Sequence, residues 1–435
     1  MKDINIDVKH VTRVEGHGNI IVDAKQGKLD EVLWEVSEAP RYFEAFVKDK
    51  PFTQLAQITS RICGICSIGH ALTSLRATEN AMDIEVSGQD EKLRKLALHG
   101  ENMQSHVLHV GYLALPDLVG QGSVIPLASS HPEELKKVIS LHKLANEISR
   151  VTCGRTTHPR RLIPGGFSKL PSPLELEKLK TKLEESVPVL KEVASFVKEL
   201  SPALPDFERE TEFISLTHDD EYAFYGGKIA STDGGITPVD DYLSVTNEYV
   251  VPQSTAKYTK NNRESYMVGA LARLNNNFDQ LTPLAKEVAE DFDLSPVCHN
   301  PYMNTIAQLV EVVHSVEDSL QLINELLDKG IEEQGLNYQP DIEPKAGTGV
   351  GAVEVPRGIL FHEYTYDEEG RCTKANCIIP TNQNHGNIQH DMEKLVPEMI
   401  GEKSEDEMEL TLEMLVRAYD PCISCSTHYL DVEFR

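Results

Sequence analysis

Two Cys-x-x-Cys pairs, "CGIC" at residues 63–66 and "CISC" at residues 422–425, sit near opposite ends of a chain of 435 residues. Two intervening residues let one turn aim both sulfurs of a pair at a single metal ion. Two such turns can surround a soft or borderline ion such as zinc, iron or nickel. If the pairs share one site, the two extremities of the polypeptide must meet in space. A zinc ribbon brings its pairs within about 15 to 20 residues, whereas 355 residues lie between Cys66 and Cys422, so a small structural knuckle is disfavoured. Haem attachment needs CxxCH, which is absent. A thioredoxin-type dithiol needs only one pair beside a βαβ pattern, and the surroundings here read as helical. A histidine follows each pair: His70, four residues after Cys66, and His428, three after Cys425.

The other cysteines read differently. The N-terminus, "MKDINIDVKHVTRVEGHG", has no signal-type apolar stretch, and no run reaches the roughly 18 apolar residues of a membrane span. A cytoplasmic location is therefore expected, and there disulfides rarely persist. Of the eight cysteines, Cys153, Cys298, Cys372 and Cys377 stand in no ligand spacing and read as small buried hydrophobes. The formal net charge of −27 would repel a phosphate backbone or an anionic membrane, so nucleic acid is not an expected partner.

The first 60 residues alternate as strands do, in "NIDVKHV", "GNIIVDA" and "LDEVLWEV", which predicts an N-terminal β lobe over 1–60. From residue 89 helical periods take over, in "DEKLRKLALHGENMQSHVLHVGYLAL", "PEELKKVISLHKLANEISRVTC" and "PLELEKLKTKLEESVPVLKEVASFVKEL". A further long helix, "MNTIAQLVEVVHSVEDSLQLINELLDK", should end at Gly330. A strand-and-turn insert is expected over 212–262 and a second near 350–382. A last helix, "DEMELTLEMLVRAY", should be ended or redirected by Pro421. No repeat or linker divides the chain. The expected fold class is α+β, mainly α: one domain over 1–435, a long-helix core with small mixed lobes.

"RICGIC" preceded by "RVEGH" (13–17) and followed by "DPCISCSTH" closely resembles the large subunit of nickel-iron hydrogenases. "GRTTHPRRLIPGG" (154–166) and "VPRGILFH" (355–362) are similar to further signatures of that family, in the expected order. "SHVLH", "RAYDPCISCS" and the missing signal place the resemblance in the cytoplasmic, multisubunit branch. It implies the large-subunit fold and a Ni-Fe(CO)(CN)2 centre at which dihydrogen is cleaved reversibly and heterolytically. Cys63 and Cys422 would be terminal nickel ligands, and Cys66 and Cys425 would bridge nickel to iron. Cys422 would be the base that takes the proton, with Glu15 as the relay carboxylate. Pro356 and Arg357 of "VPRG", Thr381 of "IIPTNQN" and Asp420 would form a canopy, with Arg357 and Thr381 hydrogen-bonding the two cyanides. A planar, permanently charged guanidinium suits an anionic diatomic ligand. His70 matches the histidine that hydrogen-bonds a bridging thiolate. Glu44 and His428, with a main-chain carbonyl among residues 377–379, match a separate divalent site, usually magnesium.

The chain departs from the family pattern at Ser105, where many uptake enzymes carry aspartate, and His106 and His109 read equally well as core histidines. Residues 429–435 extend beyond His428, where the family's maturation protease cuts. They would be either a cleavable tail, whose retention marks an unfilled site, or a tail never removed. Without further cysteine groups for iron-sulfur clusters, the chain needs a small subunit that carries them and meets the "RICGIC" region. Flavin and NAD(P)- or ferredoxin-linked subunits follow by resemblance only. Two rivals remain at this point: a metal-free subunit of a complex I-like assembly, whose kind lacks the four cysteines, and a structural protein stapled by zinc.

Overall fold

The structure is a computed structural model that describes residues 3–332, 338 and 340–427. The chain opens with an antiparallel meander of β1 (Ile4–Val8), β2 (Gly18–Lys25) and β3 (Lys28–Val36), in which alternate side chains are buried. The strands stop there. Residues 37–60 hold two short helices, α1 (Phe43–Phe46) and α2 (Phe52–Thr59), so the β lobe is shorter than 1–60. α3 (Ser67–Met82) starts directly after Cys66. α4 (Gly88–Leu108) runs through a π-helical turn at residues 109–114 into α5 (Leu115–Leu118). Then come α6 (Leu127–Ser130), α7 (Pro132–Cys153), the small ladder β4 (Leu162–Ile163) with β5 (Gly166–Phe167), and α8 (Pro173–Leu200). α8 carries Pro188 inside it.

The expected insert is present. β6 (Glu212–Thr217), β7 (Lys228–Ser231) and β8 (Gly235–Thr237) make one sheet, and β9 (Asn247–Tyr249) pairs with β10 (Tyr258–Lys260). β11 (Tyr266–Met267) adds to β6 in parallel. α9 (Ala270–Asn277) and α10 (Pro283–Asp291) lead to α11 (Asn304–Lys329), which ends at Gly330 as its sequence predicts. A second meander follows, β12 (Gly347–Val355), β13 (Gly358–Tyr366) and β14 (Cys372–Ile378), then α12 (Pro380–Met399) and α13 (Glu405–Ala418). A single large hydrophobic core joins α4, α7, α8, α11, α12 and α13. No described helix is long and apolar enough to cross a membrane.

One packing detail places the site. Gly347, Gly349 and Gly351 alternate along one face of β12, and a Cβ on Gly351 would stand 2.2 Å from the Thr73 carbonyl oxygen of α3. The bare strand lets the backbone of α3 lie against the sheet. That brings the N-terminus of α3, with Cys66, to the tip of the β12–β13 hairpin. Gly351→Ala is expected to destabilise the chain by about 3 kcal/mol, because backbone rather than a flexible side chain must move. Thermal unfolding measures it.

Candidate metal centre

Four chain segments converge on one buried point. The first is the turn at residues 63–66, where the Cys66 amide donates to Cys63 Sγ at 3.0 Å. The second is the C-terminal pair. Tyr419 caps α13, Asp420 adopts a left-handed φ of 48°, and Pro421 directs the chain away from the helix. Residue 422 then forms a parallel bridge with Glu15, and the Ile423 amide donates to the Glu15 carbonyl at 2.9 Å. The third is the two-residue turn between Val355 and Gly358, which are paired in register and leave Pro356 and Arg357 at the hairpin tip. The fourth is the start of α12, where Thr381 Oγ1 accepts from the Cys422 amide at 3.0 Å.

Cys63, Cys422 and Cys425 present sulfurs within 4.8 Å of one another, and Cys63 Sγ lies 3.6 Å from Cys422 Sγ. All four cysteines of the two pairs are buried and free of disulfides. Cys66 Sγ accepts from Arg357 Nη1 at 3.3 Å. The convergence expected from the spacing is therefore present. The sulfurs perturb one another. Hydrogen bonds from Cys422, Cys425 and Cys66 push the Cys63 thiol well down, while Cys66 and Cys422 are pushed up by their bonds to neighbouring cysteines and by burial. Burial pushes Cys425 up as well. A soft metal ion binds such sulfurs as thiolates, so binding one there would release their protons.

Charged groups surround the sulfurs. Arg357 Nη2 donates to Asp420 Oδ1 at 2.8 Å and its Nε to the Asp420 carbonyl at 2.9 Å. Burial opposes the Arg357 charge, but Asp420 and the nearby cysteines outweigh it and push the guanidinium's pKa well up. Glu15 Oε2 accepts from Cys422 Sγ at 3.2 Å and from the Ser424 amide at 3.1 Å, and the Ser424 hydroxyl donates to its other oxygen. The ring of His70 reaches His362, Nδ1 to Nε2 at 3.3 Å, while its amide donates to the Cys66 carbonyl. Glu44 Oε1 accepts from the Cys377 amide at 2.8 Å. His428 and residues 429–435 lie outside the described residues. Thr427, the last residue described before them, returns its carbonyl to the Arg41 amide at 2.9 Å, close in sequence to Glu44.

Sequence reasoning missed several residues here. Glu101 of α4 accepts from the Ile68 and Gly69 amides at 2.6 and 2.9 Å, under the turn that carries Cys66. Burial raises its carboxyl to about 8 against those two bonds. Arg273 donates to the carbonyls of Val355 and Pro356, and to Glu311 and Glu354, so it supports the hairpin tip from behind. Gln308 donates to Asp420 Oδ2 at 3.1 Å. No local pattern marks these residues, because each acts through a partner remote in sequence. His106 and His109 are both fully buried. His106 bonds Glu311 at 2.8 Å and burial pushes its pKa down; His109 bonds Gln308 and the Arg417 carbonyl. Ser105 Oγ is buried without a partner among the described residues, and Ser105 adds no carboxylate to the canopy.

The family model "Nickel-dependent hydrogenase" matches residues 41–143 and 215–428. Sulfhydrogenase 1 subunit alpha of Pyrococcus furiosus is 32% identical over 427 residues, covering 97% of each chain. NAD-reducing hydrogenase HoxS subunit beta of Cupriavidus necator is 30% identical over 463 residues, covering 97% of this chain and 94% of that one. Among solved structures, an NAD+-reducing [NiFe]-hydrogenase in the H2-reduced state superposes with a TM-score of 0.87 at 27% identity, over 98% of this chain and 100% of the other.

Proposed function

The chain belongs to the nickel-dependent hydrogenase family, and from that premise we propose that the buried point where Cys63, Cys422 and Cys425 cluster, with Cys66 beside them on Arg357, is where it cleaves dihydrogen. The observation that carries the reading is the meeting of both cysteine pairs at one buried point, with a guanidinium and a carboxylate against the sulfurs. The donor set fits the implied centre: buried soft sulfurs of Cys63, Cys422 and Cys425, with Cys66 beside them, would hold the nickel and iron, and the three clustered groups are all sulfurs with no hard carboxylate oxygen among them. When bound, the nickel-iron centre supplies the electron-rich metal pair at which dihydrogen is polarised and split.

The chain's own residues do the rest. Cys422 Sγ takes the proton, and Glu15, already in hydrogen-bond contact with that sulfur, receives it and passes it outward. The Ser424 amide and hydroxyl hold the carboxylate so that one oxygen stays on the sulfur. Asp420 fixes the plane of Arg357, whose Nη1 lies on Cys66, so the guanidinium presents a fixed positive edge over the site. Thr381 fixes the Cys422 backbone through its hydroxyl, and Pro356 restrains the hairpin tip. A structural zinc staple has no need of a charged canopy or a carboxylate on its ligand, so these contacts favour hydrogen chemistry.

By the family resemblance, Glu44 and His428, the latter outside the described residues, would be ligands of a divalent ion such as magnesium. Glu44→Ala is expected to lower bound magnesium below half of one ion per chain and to reduce the melting temperature. Magnesium at the wild-type ratio in that variant would refute the site. Electrons leave through an iron-sulfur small subunit that docks near Arg61 and Gly64, where both residues are exposed and Tyr42 and Phe46 are 42% and 57% exposed. Further subunits pass them to soluble carriers such as NAD(P) or ferredoxin. The assembled complex, given hydrogen and an artificial electron acceptor, tests the activity: turnover that requires nickel supports it, and stoichiometric zinc without turnover excludes it.

A further inference from the structure

α4 widens into a π-helical turn at residues 109–114 immediately before α5, and π turns inside α-helices frequently mark functional positions. Three groups at four-residue spacing along this stretch hold the two ends of the chain. His109 Nε2 bonds the Arg417 carbonyl at 2.6 Å, and the Leu113 carbonyl accepts from Arg13 Nη1 at 2.7 Å. The Asp117 carboxylate accepts from Arg13 Nη2 and from Arg417, whose Nε and Nη2 lie at 2.8 and 3.1 Å. Arg417 in turn donates to the Thr12 carbonyl at 3.2 Å. Asp117 and Arg417 are almost fully buried, with side chains 4% and 1% exposed.

The pairing matters because of what lies two or three residues away. Arg13 precedes Glu15 by two residues in a loop whose backbone turns through positive φ at Arg13 and Gly16, 63° and 87°. A non-glycine residue is held there only by its surroundings. Arg417 precedes Asp420 by three, and Asp420 leads into Cys422. One buried carboxylate therefore fixes both the segment carrying the proton acceptor and the segment carrying the sulfur it serves. We propose that Asp117 is a positioning residue that keeps Glu15 in register with Cys422 by clamping both chain ends to α5, directly after the π-helical turn. The inference rests on the reading of Glu15 as the proton relay. Asparagine at residue 117 would leave Arg13 facing a neutral amide and Arg417 with Glu413 at 3.4 Å as its remaining carboxylate, so the pair of segments should drift apart even where the fold survives.

Four variants of the assembled complex test it: Glu15→Gln, Asp117→Asn, Asp117→Glu and Arg13→Gln, each assayed for hydrogen turnover per bound nickel, nickel content and solvent deuterium isotope effect. Asp117→Asn is expected to keep nickel at the wild-type ratio, to turn over at least tenfold more slowly, and to show the raised isotope effect of Glu15→Gln. Asp117→Glu should recover most of the rate. Arg13→Gln removes only one arm of the clamp and should show the same defect if Asp117→Asn fails to fold. Wild-type turnover in Asp117→Asn and Arg13→Gln beside a crippled Glu15→Gln would overturn the positioning role alone, as would losses that only follow lost nickel. Full turnover in Glu15→Gln would overturn the relay reading and the positioning inference with it.

Discussion

Replacing Cys422 with serine is expected to eliminate hydrogen turnover while shifting the melting temperature of the chain by no more than about 4 °C. The substitution changes one buried atom. The Cys422 amide keeps its bond to Thr381 and the Ile423 amide keeps its bond to the Glu15 carbonyl, so the backbone of the second pair has no reason to move. What is lost is a soft donor 3.6 Å from Cys63 and 3.2 Å from Glu15, replaced by a hard hydroxyl that binds nickel poorly and ionises only at far higher pH. Both the metal ligand and the first proton acceptor disappear together. Calorimetry and a hydrogen-uptake assay on the same preparation check the two halves. Retained turnover would show that Cys422 does neither job.

The second large effect is at Glu15. Glutamine preserves the shape: its one amide oxygen can accept from the Ser424 amide, while its NH2 group, which cannot accept, meets the Ser424 hydroxyl as a donor. It has no proton to exchange. A well-placed acid-base group contributes about 10²- to 10⁴-fold, and a loss in that range is expected for Glu15→Gln in hydrogen oxidation with an artificial acceptor. Nickel content should stay at the wild-type ratio, because the carboxylate contacts Cys422 from outside the sulfur cluster. A rate within threefold of wild type would mean that protons leave by a path that does not use this residue.

Much of this architecture was legible in the sequence wherever periodicity and punctuation agree. α7, α8, α11 and α13 repeat apolar residues at helical spacing, and Gly330 and Pro421 stop or redirect them as expected. α12 shows that pattern only from Ile388 on, with Met392, Leu395, Val396 and Met399, and the stretch before it leaves no such trace. That stretch is polar, yet Asn382, Gln383, Asn384 and Asn387 are all buried, because their amides bond the carbonyls of Ser426, Ile359 and Val268 and the hydroxyl of Tyr419. A helix segment buried by hydrogen bonds to backbone has no apolar stripe there to detect. α3 is obscured for a related reason: it packs by backbone against a glycine strip, so it needs few large side chains. The predicted β lobe ran too long because residues 37–60 form helices too short to show a period.

At the site, the convergence of the cysteines and the adjacent carboxylate was legible because two spaced pairs and a short motif carry them. Cys63, Cys422 and Cys425 come together, Cys66 lies on Arg357, and Glu15, Asp420 and Thr381 stand against them. The supports were not legible. Glu101, Arg273 and Gln308 sit on helices far from both pairs in sequence, and only the packing of α4, α9 and α11 brings them to the centre, while Asp117 of α5 reaches it through Arg13 and Arg417.

Nickel-edge X-ray absorption on the assembled complex tests the central claim most directly, since it reports which atoms surround the metal. One nickel per chain with a protein shell of sulfur alone, losing sulfur in Cys425→Ser, is the predicted result. Stoichiometric zinc with no nickel, or nickel held by nitrogen and oxygen with that variant unchanged, would contradict the account.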